Sequence, residues 1–431
     1  MKTTECFSTL LKERYKRIDH DSGLRIYLFP KKMTSIYALF AVQYGSVDSS
    51  FSVDGESVTV PDGIAHFLEH KLFDCENGED AFARFSAIGA DANAYTAYNR
   101  TAYLFSCTEH FSEALRELVD FVTHPYFTDA SVKKEQGIIA EEIRMYEDSP
   151  WERVYQNLLA ALYHVHPVRK NICGTVKSIK KITPALLYQC YEAFYQLSNM
   201  ALIVCGDIEE GDILSVVDEI LPSANDRVRQ AAVRILPTEP QNVARERIEA
   251  RMQVAKPIFS IGIKDDAPPT DPTQRLRRDL CMSLLNEILF SQAGEFYSTL
   301  FEEGLITPSF SYGYSSAEGF AFNCITGESN MPDTVLERLR QYVTRMCREG
   351  LSDEAFERCR RALYSDEIRA YDSTEEIANR LLSFVFEGSE MFSVPHILLS
   401  ISRAELEALM RSFFGAERYS MSVILPSETA K

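Results

Sequence analysis

Two stretches of the 431-residue chain repeat one pattern, and the repeat limits the fold more than any other feature. Thr183-Pro-Ala-Leu-Leu-Tyr-Gln-Cys-Tyr-Glu-Ala-Phe194 precedes Met200-Ala-Leu-Ile-Val-Cys205. Ser402-Arg-Ala-Glu-Leu-Glu-Ala-Leu-Met-Arg-Ser-Phe413 precedes Tyr419-Ser-Met-Ser-Val-Ile-Leu425. Each begins at a hydroxyl N-cap, continues as an amphipathic helix and ends in an apolar strand. The spacing predicts an internal duplication of roughly 200 residues. The chain is long enough for two domains, each burying its own core without disulfides.

The remaining periodicities fit an α+β class. Leu24–Phe29 and Ile36–Gln43 read as strands, and 90–98 with 101–106 as a strand pair. Helical patterns cover 109–123, 129–148, 151–163 and 184–195. In the second half, 257–263 reads as a strand and 274–290 as a helix. Residues 223–249, with Pro237 and Pro240 and no sustained period, read as a linker. The expected partition is therefore 1–222, a linker over 223–249, and 250–431. Each domain is expected to be an α/β sandwich with a mixed or antiparallel sheet.

Composition excludes several functions. The 63 acidic residues outnumber the 45 basic ones, giving a net charge of −18. That balance opposes binding to nucleic acid or to an anionic membrane. No apolar run reaches the ~20 residues of a membrane helix. The ten cysteines are scattered, with no Cys-x-x-Cys pair, and the N-terminus has no apolar leader pattern. The expectation is a cytoplasmic protein in a reducing compartment.

The chemistry concentrates in His66-Phe-Leu-Glu-His70. On a helix the two histidines lie ~40° apart on successive turns, so both imidazoles reach one metal ion. Glu69 lies ~60° to the other side of His66, where it meets a water at an open coordination position without becoming a ligand. A third ligand is expected from Glu135-Gln-Gly-Ile-Ile-Ala-Glu-Glu-Ile-Arg-Met-Tyr146. A helical wheel places Glu142 within ~60° of Ile138, Ile139, Met145 and Tyr146, an apolar stripe in which an unpaired carboxylate is costly. Glu135, two turns back, is expected to support the site through hydrogen bonding. The other six histidines sit at turns and segment ends and read as structural.

The HFLEH helix, a glutamate 72 residues beyond His70 within Glu-Glu-Ile, and two similar halves joined by a linker resemble the pitrilysin/insulysin/mitochondrial processing peptidase family, the inverted zincins. The likeness spans the chain and is nearest the short bacterial two-domain branch. It implies a clamshell-like pair of homologous domains around a chamber and a zinc endopeptidase acting on unfolded peptides. It also implies His66, His70 and Glu142 as Zn2+ ligands, Glu69 as general base and Glu135 as the supporting glutamate. Ala92, Asn93, Ala94 and Tyr95 match the edge strand on which the family lays its peptide substrate.

One part of the family pattern is missing. The resemblance implies an Arg and a Tyr, seven apart, that donate to the oxyanion. Alignment on Gly304-Leu305 puts Leu300 and Thr307 at those positions, and no Arg or Lys lies between Arg278 and Arg338. Three readings stay open. A related partner subunit that lacks the zinc ligands supplies the donors; Tyr312 or Tyr314 substitutes for them; or the chain is a non-catalytic, peptide-binding or structural subunit. The assembly expected in any case is a homodimer or a heterodimer with a related subunit.

Overall fold

A computed structural model describes residues 1–76, 78, 80–221, 232–414 and 418–427. The strands are β1 (Lys2–Ser8), β2 (Glu13–Asp19), β3 (Arg25–Pro30), β4 (Ile36–Val42), β5 (Ser50–Val53), β6 (Glu56–Thr59), β7 (Asp91–Thr96), β8 (Thr101–Cys107) and β9 (Met200–Gly206). They continue as β10 (Val233–Arg234), β11 (Arg247–Met252), β12 (Ile258–Lys264), β13 (Ser311–Ala317), β14 (Phe320–Glu328) and β15 (Tyr419–Pro426). Among the described residues they form three sheets: β1-β2-β3-β9-β4-β8-β7, the small β10-β5-β6, and β11-β15-β12-β14-β13.

The duplication is visible in this order. β3-β9-β4-β8-β7 corresponds to β11-β15-β12-β14-β13, strand for strand. In each set the first pair is parallel, as in Tyr27↔Ile203 and Glu249↔Val423, and every later pair is antiparallel. β9 and β12, each with neighbours on both sides, are buried throughout. Their sequences are correspondingly near-continuous apolar runs, as doubly covered strands require. The two N-caps that revealed the repeat are formed: Thr183 accepts from the Leu186 amide, and Ser402 from that of Glu405.

The compact units do not follow the chain contiguously. One comprises Met1–Ile143, Asn171–Leu236 and Ile368–Glu387; the other comprises Arg144–Lys170, Pro237–Glu367 and Gly388–Lys431. In the first, the helix Thr374–Glu387 packs on β4 and β9. In the second, the helix Pro150–Leu162 packs on β12 and β15. Each sequence half thus lends a helix to the sheet of the other.

Of the expected linker, residues 223–231 lie outside the described residues. The rest is more ordered in pattern than its composition suggested. Val233 and Arg234 pair with Ser52 and Phe51, and 247–249 already belong to β11. Backbone pairing needs no hydrophobic period, so it leaves no mark in the residue pattern.

Candidate metal centre

The site belongs to the first unit and is assembled from two helices and the turn at Asn171–Gly174. Pro61-Asp62-Gly63 turns the chain into the helix Ile64–Leu72, with Gly63 as N-cap at φ 90°. A side chain there would meet the backbone: a Cβ on Gly63 would lie 2.3 Å from Cys173 O. A Cβ on Gly174, itself at φ +74°, would lie 2.3 Å from Asp62 O. The two loops therefore interlock through their glycines, and Ser178 Oγ donates to Asp62 O at 2.7 Å. This fixes the start of the histidine helix one turn before His66.

His66 and His70 stand on successive turns with ring centroids 4.6 Å apart. Glu142, from the helix Asp129–Asp148, completes a cluster whose ligand atoms all lie within 4.8 Å of one another. Its Oε1 is 3.6 Å from His66 Nε2 and its Oε2 is 3.5 Å from His70 Nε2. Those separations are long for hydrogen bonds. They are close to the ~3.3 Å that two N or O ligands keep across a tetrahedral zinc ion bound at ~2.0–2.1 Å. Two imidazoles and one carboxylate are also the donor set of catalytic zinc sites that keep a fourth position open.

Charge fits the same group. Glu69, Glu135 and Glu142 place three carboxylates around two imidazoles. Burial alone would lower the pKa of His70, but the hydrogen bond to Glu135 and the fields of Glu69, Glu135 and Glu142 outweigh it and hold it above the ordinary value. An excess of negative charge in a largely buried site suits a divalent cation.

Glu135 lies two turns before Glu142 and meets the far side of the same histidine, with Oε1 3.0 Å from His70 Nδ1. This fixes the ring so that Nε2 faces the cluster. His66 Nδ1 is buried and has no hydrogen-bond partner among the described residues. Glu142 does not lie in the middle of an apolar stripe. The buried stripe of its helix is Val132, Glu135, Ile139, Ala140 and Ile143, while Ile138 and Met145 are exposed. Glu142 therefore sits at the margin of the stripe, and Glu135 sits within it.

Glu69 is buried, and its Oε2 accepts from Thr96 Oγ1 at 2.5 Å. Thr96 ends β7, the edge strand that also carries Ala92, Asn93, Ala94 and Tyr95. Successive strand side chains alternate in direction. Thr96 accordingly meets the histidine helix, whereas Tyr95 donates to Asn379 Oδ1 of the helix Thr374–Glu387 at 3.2 Å. Asn93 is exposed, and its Oδ1 accepts from the next amide, that of Ala94.

Two neighbours of the site were not anticipated from sequence. Thr96 is 27 positions from Glu69. Cys173, whose Sγ lies 3.7 Å from His66 Nε2, is 107 positions from it. Only a helix period can be read locally, and neither contact has one.

The two tyrosines considered as oxyanion donors lie in the second unit, on β13, and both hydroxyls are committed. Tyr312 donates to Glu287 Oε2 at 2.8 Å and Tyr314 to Asp265 Oδ2 at 2.7 Å. Burial and those carboxylates push both phenols well above their ordinary pKa. Leu300 is a buried core residue, and Thr307 donates to Glu328 Oε2 at 3.1 Å. Among the described residues, the second unit holds no metal-binding cluster of this kind.

Residues 59–176 match the family model described as insulinase, peptidase family M16, and residues 181–363 match the model of the peptidase M16 inactive domain. The chain is 38% identical over 408 residues to the uncharacterized zinc protease YmfH of Bacillus subtilis, covering 94% of this chain and 95% of that protein. It is 24% identical over 379 residues to another uncharacterized zinc protease of that organism, YmxG, covering 85% and 88%. A solved structure from Alicyclobacillus acidocaldarius, assigned as an M16-like peptidase, superposes with a TM-score of 0.92 at 34% identity, covering 97% of this chain and all of that one. The histidine and glutamate cluster falls within the part matched by the first model, and among the described residues the part matched by the inactive-domain model carries none. The chain belongs to peptidase family M16.

Proposed function

We propose that the chain is a zinc-dependent endopeptidase acting on unfolded peptides, with His66, His70 and Glu142 holding the metal and Glu69 serving as general base. The observation that carries this reading is the convergence of the three ligand atoms within 4.8 Å of one another, with one Glu142 oxygen 3.6 Å from His66 Nε2 and the other 3.5 Å from His70 Nε2. The zinc protease names of its relatives support it. Zinc, when bound, supplies Lewis acidity that polarises a carbonyl and acidifies water.

The chain's own residues would do the rest. The open edge of β7 offers main-chain donors and acceptors to an extended peptide, which sets the scissile bond in register without demanding a sequence. Oε2 of Glu69 is engaged by Thr96, leaving Oε1 to take a proton from the attacking water. A C–O bond forms, the C–N bond breaks, and Glu69 returns that proton to the leaving nitrogen. Glu135 keeps the His70 ring oriented throughout.

Oxyanion donors remain to be supplied. Leu300 is buried, and Tyr312 and Tyr314 already donate to carboxylates. The reading therefore includes a related partner subunit that contributes an Arg/Tyr pair. The same observations favour a second reading, a non-catalytic peptide-binding subunit, for which the metal would be structural. The test is to measure zinc in the purified chain and assay a quenched peptide pool with wild type and Glu69→Gln, alone and mixed with a sequence-related partner. Cleavage that depends on Glu69 is expected, appearing or rising on mixing. Stoichiometric zinc with no Glu69-dependent cleavage in either case supports the second reading instead.

A further inference from the structure

A base that abstracts a proton from water must present one defined oxygen, yet a glutamate side chain has three rotatable bonds. Helix packing holds the Cα of Glu69, but it leaves the carboxylate to be oriented by whatever it touches. The contact it makes is with the edge strand. Thr96 Oγ1 donates to Glu69 Oε2 at 2.5 Å.

The direction of that bond is set by the residue opposite. Thr96 pairs directly with Thr101 across β7 and β8. Thr101 is fully buried and spends its own hydroxyl proton on Tyr44 O at 2.9 Å. Its Oγ1 is 3.4 Å from that of Thr96, so it offers Thr96 an oxygen and no proton. Thr96 is β-branched, so its χ1 is stiff, and it lies in a strand paired along its whole length. Its hydroxyl is thus a fixed donor, and a charged acceptor makes the bond one of the stronger kind.

We propose that Thr96 is the positioning residue of Glu69. The strand that receives the peptide thereby also sets the base carboxylate, leaving Oε1 as its working oxygen. Substrate register and base orientation then share one rigid element and cannot drift apart. The inference deepens the endopeptidase reading and rests on it.

The test uses the full chain loaded with zinc, and Thr96→Val and Thr96→Ser variants. Valine keeps the shape and removes the hydroxyl; serine keeps the hydroxyl. A peptide hydroxamate is the probe, because its hydroxyl needs a correctly aimed base carboxylate and its binding requires no turnover. Calorimetry should find it about tenfold weaker for Thr96→Val, the size of one hydrogen bond to a charged group. Thr96→Ser should bind it like wild type, and the valine effect should vanish in a Glu69→Ala background. Zinc content should be equal in all variants. Where the chain or its mixture with a partner turns over peptide, Thr96→Val should lower kcat with little change in KM. Equal hydroxamate affinity for Thr96→Val and wild type overturns the inference and leaves the peptidase reading standing. So does a loss that persists without Glu69, or one that serine does not rescue. A zinc-loaded wild type that binds no hydroxamate overturns both.

Discussion

The carboxylate of Glu239 is held by four donors. The amides of His164, Val165 and His166 reach it at 2.8, 2.9 and 2.8 Å, and Lys264 Nζ at 2.7 Å. Burial alone would raise its pKa, but these bonds outweigh burial and hold it at about 2, against an ordinary 4.5. A carboxylate whose folded pKa is depressed stabilises the fold above its unfolded pKa, and that contribution is lost as pH falls through the window from 4.5 toward 2. Its size is at most about 3 kcal/mol. The net value is smaller, because burial lowers the pKa of Lys264 despite the same ion pair, which marks a cost of keeping the ammonium dry. Urea unfolding of wild type and Glu239→Gln should differ by about 2 kcal/mol at pH 7, the gap narrowing steadily below pH 4.5. A gap independent of pH would show that shape, not charge, is what Glu239 provides. Nothing in the Pro- and Gln-rich surroundings of Glu239 announces this role. The two clustered histidines were legible because a helix period places them; Glu239, Thr96 and Cys173 act across 75, 27 and 107 positions, and only folding brings their partners near.

At the scale of elements, the strands and helices of the first half were largely readable. Expected strands at Ile36–Gln43 and 101–106 are β4 and β8, and expected helices at 129–148 and 184–195 are Asp129–Asp148 and Pro184–Phe194. The β1–β2 hairpin was not, because Lys2–Ser8 and Glu13–Asp19 are half-exposed and mix polar with apolar residues. What fixes the histidine helix in place is equally hidden: two glycines, 111 residues apart, whose missing Cβ atoms let Asp62-Gly63 and Cys173-Gly174 lie against each other. Gly63→Ala should therefore do two things. It forces an L side chain into left-handed backbone, at ~1–2 kcal/mol, and it drives a Cβ into the Cys173 carbonyl. Thermal unfolding should move down by several degrees, and zinc affinity by chelator competition should fall with it as His66 shifts. Gly137→Ala is the control. It lies in the helix Asp129–Asp148 with open space around its Cβ, so it should raise stability by up to ~1 kcal/mol and leave zinc affinity alone. Equal effects at the two glycines would remove the clamp from the account of the site.

For the whole molecule, the exchange of helices decides what can fold by itself. Periodicity tells which face of a helix is apolar but not which sheet will cover it, so the sequence repeat suggested two contiguous halves. The helix Thr374–Glu387 buries Ile377, Leu381, Leu382 and Phe386 in the unit that contains β4 and β9. At ~1.5–3 kcal/mol per large apolar side chain, those four contribute up to about 6–12 kcal/mol. That is comparable to the ~5–15 kcal/mol that separates a folded protein from its unfolded state. A fragment of residues 1–222 lacks this helix. It keeps Val154, Leu158, Leu159 and Leu162, buried residues of the helix Pro150–Leu162, but not β12 and β15, on which that helix packs. A fragment of residues 223–431 has the complementary deficit. Expressed separately, neither should show a sharp thermal transition, and 1–222 should bind zinc only weakly although it contains His66, His70 and Glu142. Co-expressed, they should copurify one to one, with zinc affinity and melting near those of the intact chain. If 1–222 alone melted cooperatively and bound zinc like the whole protein, the borrowed helix would be dispensable to the metal centre. Retention of the second half in the same chain would then need a reason other than folding.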